Sequence, residues 1–270
     1  MISIRTAVQI LGTVPFLLTS MMAQTWSLPK DTTVKDNGPR TYRFTVDYNV
    51  ANTRGEVVRR QRLTGEYTRG LPGGDVVWNN VTDAAVNSPT DPFPAADKQT
   101  YMEGFRYHHD AGDMLKPEFF RQFPPTATME KNLVWDTAMF EVFGQEHFAH
   151  LKLNQPYQFA YNEEMKLPGL GSFTNHDVTL VWVGNSQKNG KQCAVIEYRA
   201  FFNPLDINGA GIVLKGRSNY WGMIWVSLAT KQIEYATLYE DVLGELTLPD
   251  KPMQVTDVFR IGTFEPVRGK

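Results

Sequence analysis

The C-terminal half of the chain is built from short segments in which apolar and polar residues alternate, each ending at a turn signal. Between residues 177 and 184 every second side chain is large and apolar, which is the two-residue period of a β-strand. Asn189-Gly190 follows and favours the tight turn of a β-hairpin. Residues 193–202 then supply a returning strand. This pattern predicts antiparallel pairing between segments that are neighbours along the chain.

Strand-like segments continue on both sides of this hairpin. They recur roughly every ten residues and are joined by short turns, which is typical of an antiparallel sheet. The other predicted strands are 42–48, 56–67, 75–80, 101–108, 220–228, 232–239 and 254–264. Residues 87–97 contain Pro89, Pro92 and Pro94 and predict a loop. Because no Pro/Gly/Ser-rich linker divides the chain, we expect a single β-rich domain over residues 24–270.

Two further segments predict helices. Lys116 to Arg121 has proline at its second position and an acid in its first turn, as helix N-termini often do. Met129 to Phe143 contains no proline or glycine, and its apolar residues spread around the helical wheel, as expected of a helix buried on most sides. We therefore predict a mainly β (α+β) fold: a curved antiparallel sheet or unclosed barrel with one or two helices packed on its concave face.

The N-terminal segment, residues 1–23, has the three parts of a secretory signal peptide. A basic start containing Arg5 precedes an uncharged, mostly apolar stretch, and Ala23 provides a small residue at the cleavage position. The apolar stretch is shorter than the ~20 residues of a spanning helix, so we expect cleavage near Gln24 and no stable membrane anchor afterwards. The alternative is that the segment is retained as a membrane anchor. The residues at the cleavage position, Ala23, Gln24 and Thr25, include no cysteine to be acylated. The sequence thus predicts an exported protein, periplasmic or secreted, that is not a lipoprotein.

Charge and cysteine content argue against several kinds of partner and chemistry. The formal net charge is -2 at pH 7, so no basic surface points to nucleic acid or anionic lipid. Cys193 is the only cysteine, and its place within a predicted strand favours a buried, unreactive thiol. The sequence has no Gly-x-Ser-x-Gly elbow, phosphate loop, dinucleotide fingerprint or paired-cysteine metal site. We expect no cofactor.

The region 178–245 carries a family resemblance. Its segments 181–184 and 188–198 read as strand, Asn-Gly turn, strand, and in 220–233 a glycine precedes Trp225-Val226-Ser227 with a threonine and an isoleucine at fixed spacing after it. These segments resemble uncharacterised exported bacterial proteins that share an unclosed β-barrel with the lipoprotein-localisation carriers. The resemblance implies a sheet that curls around one or more helices. It also implies an apolar concave face able to hold an acyl chain or another hydrophobic molecule.

Histidines beside acidic residues are the candidate catalytic groups. His108, His109 and Asp110, with Asp113 close behind, follow a predicted strand. A histidine next to a carboxylate can act as a general base or bind a divalent metal. The alternative is a solvated strand end followed by a turn.

His147 and His150 form a second candidate site. If this segment is helical, the two side chains share one face, and this spacing can serve a metal ion together with a carboxylate from elsewhere. The alternative is a helix end whose histidines face water. An enzyme of this type would be a hydrolase, lyase or isomerase acting on an extracytoplasmic polysaccharide or lipid. Its catalytic set would be His108, His109, Asp110 and His147.

Aromatic residues are concentrated in the stretch 119–161 and again at 220–225. Most should belong to the core, but an open curved sheet with helices inside it often leaves a cavity. The candidate ligand-binding residues are Trp135, Phe140, Phe143, Trp221 and Trp225. The function we favour is binding of a hydrophobic or amphipathic small molecule or lipid in an aromatic-lined cavity, or of a partner at the cell envelope. The sequence identifies no particular protein partner.

Overall fold

The computed structural model describes residues 27–28, 33–35, 38–108, 113–159, 164–209 and 211–267. The predicted signal peptide, and also His109 and Asp110, lie outside these residues. Within them, no helix is both long enough and apolar enough to cross a membrane.

Thirteen strands form one sheet in the described part of the chain. They are β1 (Arg40–Ala51), β2 (Val57–Arg69), β3 (Asp75–Val86), β4 (Asp97–Lys98), β5 (Phe105–His108), β6 (Pro156–Phe159), β7 (Glu164–Leu167), β8 (Gly171–Thr174), β9 (Val178–Lys188), β10 (Lys191–Gly209), β11 (Ile212–Ser227), β12 (Ile233–Thr247) and β13 (Gln254–Pro266). One α-helix, α1 (Thr128–Glu141), continues into a π-helical turn, Val142–Glu146. Short 3-10 turns lie at Pro72–Gly74, Thr100–Met102, Asp113–Leu115 and Phe148–His150.

All strand pairings in this sheet are antiparallel. The order runs β4-β3-β2-β1-β13-β12-β11-β10-β8-β7, with β5 beside β3 and β6 beside β9. The long strand β10 pairs with β9 over its first half and with β8 over its second half. Because β4 and β7 do not pair with each other, the sheet is not closed into a barrel. The predicted mainly β fold with an unclosed antiparallel sheet is confirmed.

Alternation along the strands places the core on one face of the sheet. In β1, the side chains of Tyr42, Phe44, Val46 and Tyr48 are at most 3% exposed, and the residues between them are more exposed. The inward side chains of the other long strands join these four in one hydrophobic core. The period of two that predicted the strands therefore also identifies the buried face of β1.

Helix α1 lies against this inner face. The fully buried ring of Phe140 contacts Phe44 of β1, Tyr198 of β10 and Phe264 of β13, with ring centroids 5.6, 6.2 and 5.7 Å away. One helical side chain thus touches strands that are far apart in the sheet order, so the sheet curves around the helix. This confirms the prediction of a helix buried on the concave face.

The predicted helix at Lys116 to Arg121 is wrong. This segment forms successive turns, in which amide N–H groups bond three residues back, as from Phe119 to Lys116 and from Phe123 to Phe120. Pro124 and Pro125 follow at once, and a proline cannot donate the hydrogen bond that a longer helix would need. The phenylalanines of this segment pack against Phe105 of β5.

Candidate functional site

A cavity of about 530 Å³ lies between α1 and the concave face of the sheet. Its walls are formed by one face of α1, inward side chains of β10–β13, the β7–β8 hairpin and residues 114–115, and Tyr48 of β1 and Asn175 complete the lining. Most of the lining is apolar and includes Met114, Met139, Leu170, Phe173, Leu238 and Val258. The volume falls within the range of small-molecule binding sites in proteins.

The period of α1 explains which of its side chains reach the cavity. Thr128, Asn132, Trp135, Met139 and Val142 recur every three or four residues and so share one face of the helix, and all five line the cavity. The opposite face is buried against the sheet. A helix with apolar residues on both sides is the expected result of placing it between a packed core and an apolar cavity.

The predicted ligand-binding aromatics separate into three groups. Trp135 and Phe143 line the cavity, whereas Phe140 is a core residue beneath it. Trp221 and Trp225 lie on the outer face of the sheet, where Trp221 stacks on Tyr239 and Trp225 packs on Tyr235.

The position of these two tryptophans corrects the expectation that they line the concave cavity. Successive side chains of a strand point to opposite faces. Tyr220 of β11 lines the cavity, so its neighbour Trp221 points outward. Both faces of this part of the sheet carry aromatic residues, and for that reason aromatic content alone does not identify the concave one.

The β7–β8 hairpin closes one side of the cavity and was not predicted from the sequence. Met165, Leu167 and Phe173 extend from it into the lining. Lys131 of α1 holds the turn of the hairpin, because its buried Nζ donates a hydrogen bond of 3.1 Å to the carbonyl oxygen of Pro168. Burial lowers the pKa of Lys131. Each of these strands has only four residues, too short for a period of two to be recognised.

A buried charged cluster forms part of the cavity wall, and we call it the Arg260 cluster: Arg260, Asp136 and Glu240. The two terminal nitrogens of Arg260 donate separately, one to Glu240 and the other to Asp136. The second oxygen of Glu240 accepts a hydrogen bond of 2.5 Å from the hydroxyl of Ser218. The guanidinium also lies 5.0 Å from the centre of the Tyr48 ring. All three members of the cluster line the cavity.

Asp136 is the member of the cluster with a free acceptor. Its Oδ2 accepts from Arg260, and its Oδ1 has no hydrogen-bond partner within the described residues. Burial, reinforced by the nearby negative charge of Glu240 and opposed by Arg260, raises the pKa of Asp136 from 3.8 to about 6. The carboxylate is thus ionised at neutral pH even though its environment favours the protonated form.

Replacing Asp136 with asparagine is expected to change how stability depends on pH. The folded-state pKa of Asp136 is raised, so its contribution to stability is fully present below about pH 4 and is lost as the pH rises through 6. Between pH 4 and 7 the native protein should lose on the order of 3 kcal/mol relative to Asp136→Asn. Denaturant unfolding of both proteins across this range measures the difference. Parallel pH profiles would contradict this assignment.

The first histidine cluster lies on the surface where the structure describes it. His108 ends β5, and its Nδ1 is 3.5 Å from the Oδ1 of Asp75 on β3. The His108 side chain is 64% exposed. This pair lies outside the cavity lining, and the acid/base role of His108, His109 and Asp110 stays a prediction.

The second histidine pair flanks a tyrosine. The rings of His147 and His150 lie 5.6 and 5.4 Å from the ring of Tyr157, with His150 stacked parallel to it. Burial lowers the pKa of His147. In the part of the chain that the structure covers, no three His, Cys, Asp or Glu side chains are grouped so that they could hold a metal ion.

The fifth histidine, His176, donates a hydrogen bond from its backbone N–H to the side-chain oxygen of Asn203.

Cys193 is buried in β10. Burial and the nearby charge of Glu234 raise the pKa of its thiol to about 11. Little thiolate is therefore present near neutral pH, as expected of a structural cysteine.

Neither a protein-family model nor a curated protein sequence matches the chain. Solved structures that are similar include lipovitellin, described in terms of its lipid–protein interactions, at 16% identity and a TM-score of 0.39. The similarity covers 87% of this chain and 26% of the lipovitellin chain, so this chain spans about a quarter of that protein. A DUF1329 family protein from Desulfovibrio piger is similar at 6% identity and a TM-score of 0.16, over 87% of this chain and 89% of the other.

Proposed function

We propose that this protein binds a hydrophobic or amphipathic molecule of lipid size in the cavity between α1 and the sheet. The observation that carries the proposal is the cavity itself, which has a volume of about 530 Å³, is mostly apolar and is bordered by the Arg260 cluster. Ligand sites in proteins commonly combine an apolar lining with a few polar groups that orient the ligand.

The N-terminal sequence supports a proposal about the compartment in which the protein acts. Residues 1–23 have the pattern of a cleavable signal peptide. We propose that the protein acts after export, in the periplasm or outside the cell. Its ligand there would be a molecule that is poorly soluble in water on its own. Binding would shelter its apolar surface, a transfer that is favourable by roughly 25 cal/mol per Å².

The proposal predicts that filling the cavity weakens binding. Ala138 lines the cavity, so Ala138→Trp should place an indole in the space that the ligand needs and weaken binding at least about tenfold, or by ~1.4 kcal/mol. Titration with the neutral dye Nile red, followed by fluorescence, measures the affinity. Ala95→Trp is the matched control, because Ala95 is exposed in the 87–96 loop outside the lining.

Two results would contradict the proposal. One is unchanged Nile red binding in Ala138→Trp when circular dichroism shows that the variant is folded. The other is failure of the native protein to bind Nile red and to retain any lipid-sized mass in native mass spectrometry after gentle purification. Loss of binding in Ala138→Trp alone, with Ala95→Trp unaffected, supports the cavity as the site.

A further inference from the structure

We infer that the ligand is an amphiphile whose head group is a hydrogen-bond donor, cationic or neutral, and that Asp136 accepts a hydrogen bond from it. This inference rests on the proposed function and identifies the class of ligand. It depends on the charges and hydrogen bonds of the Arg260 cluster.

The acceptor that recognises the head group is Oδ1 of Asp136. The Asp136 side chain is 12% exposed and lies on the helical face that lines the cavity. Its other oxygen is already bonded to Arg260, which fixes the orientation of the carboxylate. The free oxygen can therefore accept a hydrogen bond from an ammonium or hydroxyl group on a ligand in the cavity.

The charge of the cluster favours a cationic head group over an anionic one. When both acids are ionised, Asp136 and Glu240 carry two negative charges against the single positive charge of Arg260. The cluster then has a net charge of -1 in a largely apolar wall, where an uncompensated charge is costly. The ammonium group of a ligand would compensate that charge, whereas a carboxylate or phosphate would add to it.

Arg260 is also poorly placed to receive an anionic head group. Bidentate recognition of a carboxylate needs two neighbouring N–H groups of the guanidinium. Both terminal nitrogens of Arg260 are bonded within the cluster. Its Nε is buried and, within the described residues, has no hydrogen-bond partner. Two of its five N–H groups therefore already serve carboxylates, and an anion that approached the remaining ones would be repelled by the negative charges of Asp136 and Glu240.

The other polar side chains at the cavity, those of Tyr48, Thr128, Asn132, Asn175 and Tyr220, carry no charge at neutral pH. The hydroxyl of Tyr220 donates a hydrogen bond of 2.7 Å to Oδ1 of Asn175. Asn132 lies next to the hydroxyl of Tyr48. That hydroxyl is buried and makes no hydrogen bond within the described residues. These groups are uncharged. The Arg260 cluster is thus the charged part of the lining that can distinguish head groups by sign.

A buried charged cluster of this kind needs an explanation beyond stability. Replacing buried ion pairs with apolar residues of similar volume is often neutral or stabilising. Buried donors without partners, such as Nε of Arg260, are uncommon in folded proteins. A role in recognising the head group accounts for charges in a wall that is otherwise suited to an apolar chain.

The test compares three ligands with the same chain and different head groups. Dodecylamine, dodecanol and dodecanoate are each used to displace Nile red from the full-length protein at about pH 7.5. We expect dodecylamine to bind at least about tenfold more tightly than dodecanoate, with dodecanol between them. In Asp136→Asn, the preference for the amine over the carboxylate should fall to less than about threefold. The control is Asp206→Asn, at an exposed position of β10, which should leave the preference for the amine unchanged.

The outcomes separate this inference from the function on which it rests. Equal binding of the three compounds, or tighter binding of dodecanoate, would overturn the head-group inference and leave the cavity as a general apolar site. If none of the compounds displaces the dye and the dye itself does not bind, the proposed function fails and the inference fails with it. The native series decides the sign of the preference even if Asp136→Asn does not fold.

Discussion

Replacing Arg260 with methionine is expected to lower the free energy of unfolding by about 3–5 kcal/mol, because breaking a buried ion pair leaves charges without a partner. Arg260 is the shared partner of Asp136 and Glu240, and the side chains of all three are at most 12% exposed. Without the guanidinium, two carboxylates face each other in the wall of an apolar cavity. Denaturant unfolding at about pH 7.5 measures the loss.

The same variant should be less destabilised in mild acid. Asp136 has a pKa of about 6 in the native protein, and removing the positive charge of Arg260 raises this pKa further. At about pH 5 the carboxyl group is therefore mostly protonated in Arg260→Met, and one of the two unpaired charges disappears.

Arg43→Met is the matched control for this prediction. Arg43 pairs with Glu66 on the outside of the sheet, at 3.1 Å, and its side chain is 51% exposed. Exposed pairs of this kind contribute about 0–1 kcal/mol, so the control should remain close to the native stability. A loss below about 1 kcal/mol in Arg260→Met would contradict the prediction, because it is the value expected of an exposed pair.

Replacing Phe140 with alanine is expected to cost about 3–5 kcal/mol, as large-to-small changes of buried aromatics do. Phe140 is fully buried and contacts Phe44, Tyr198 and Phe264. These contacts hold α1 against β1, β10 and β13. The substitution therefore leaves a void where the helix is anchored, and it should also weaken ligand binding because α1 forms one wall of the cavity.

Phe202→Ala provides the comparison for Phe140→Ala. Phe202 is 67% exposed in β10, so its removal should change the free energy of unfolding by less than about 0.5 kcal/mol. Thermal unfolding of the two variants tests the contrast. Similar melting temperatures for both would mean that Phe140 does not anchor the helix.

Charged residues of α1 further determine how the helix is placed. Lys131 bonds to the hairpin turn at Pro168, and Asp136 bonds to β13 through Arg260. Glu141 accepts from Arg69 and from the hydroxyl of Tyr67, both on β2. Each contact joins the helix to a different part of the sheet. Together they fix its position around the cavity more specifically than apolar packing alone would.

The sequence by itself determined the main strands and the helix. Alternation along residues 42–48 and 178–182 required one buried face, and Asn189-Gly190 required a hairpin, since both effects depend only on neighbouring residues. The helix at Met129 to Phe143 was evident because no helix breaker occurs in it and because its apolar residues surround it. These features are local, so the structure confirms them.

The tertiary structure alone decided what borders the cavity. Tyr220 and Trp221 are adjacent and both aromatic, and only the curvature of the sheet determines that Tyr220 faces inward. The short strands of the β7–β8 hairpin take their conformation from pairing with β10 rather than from a pattern of their own. Asp136 and Arg260 are 124 residues apart in the sequence. Their contact forms only when α1 packs against β13, and no local pattern encodes a contact between residues so far apart.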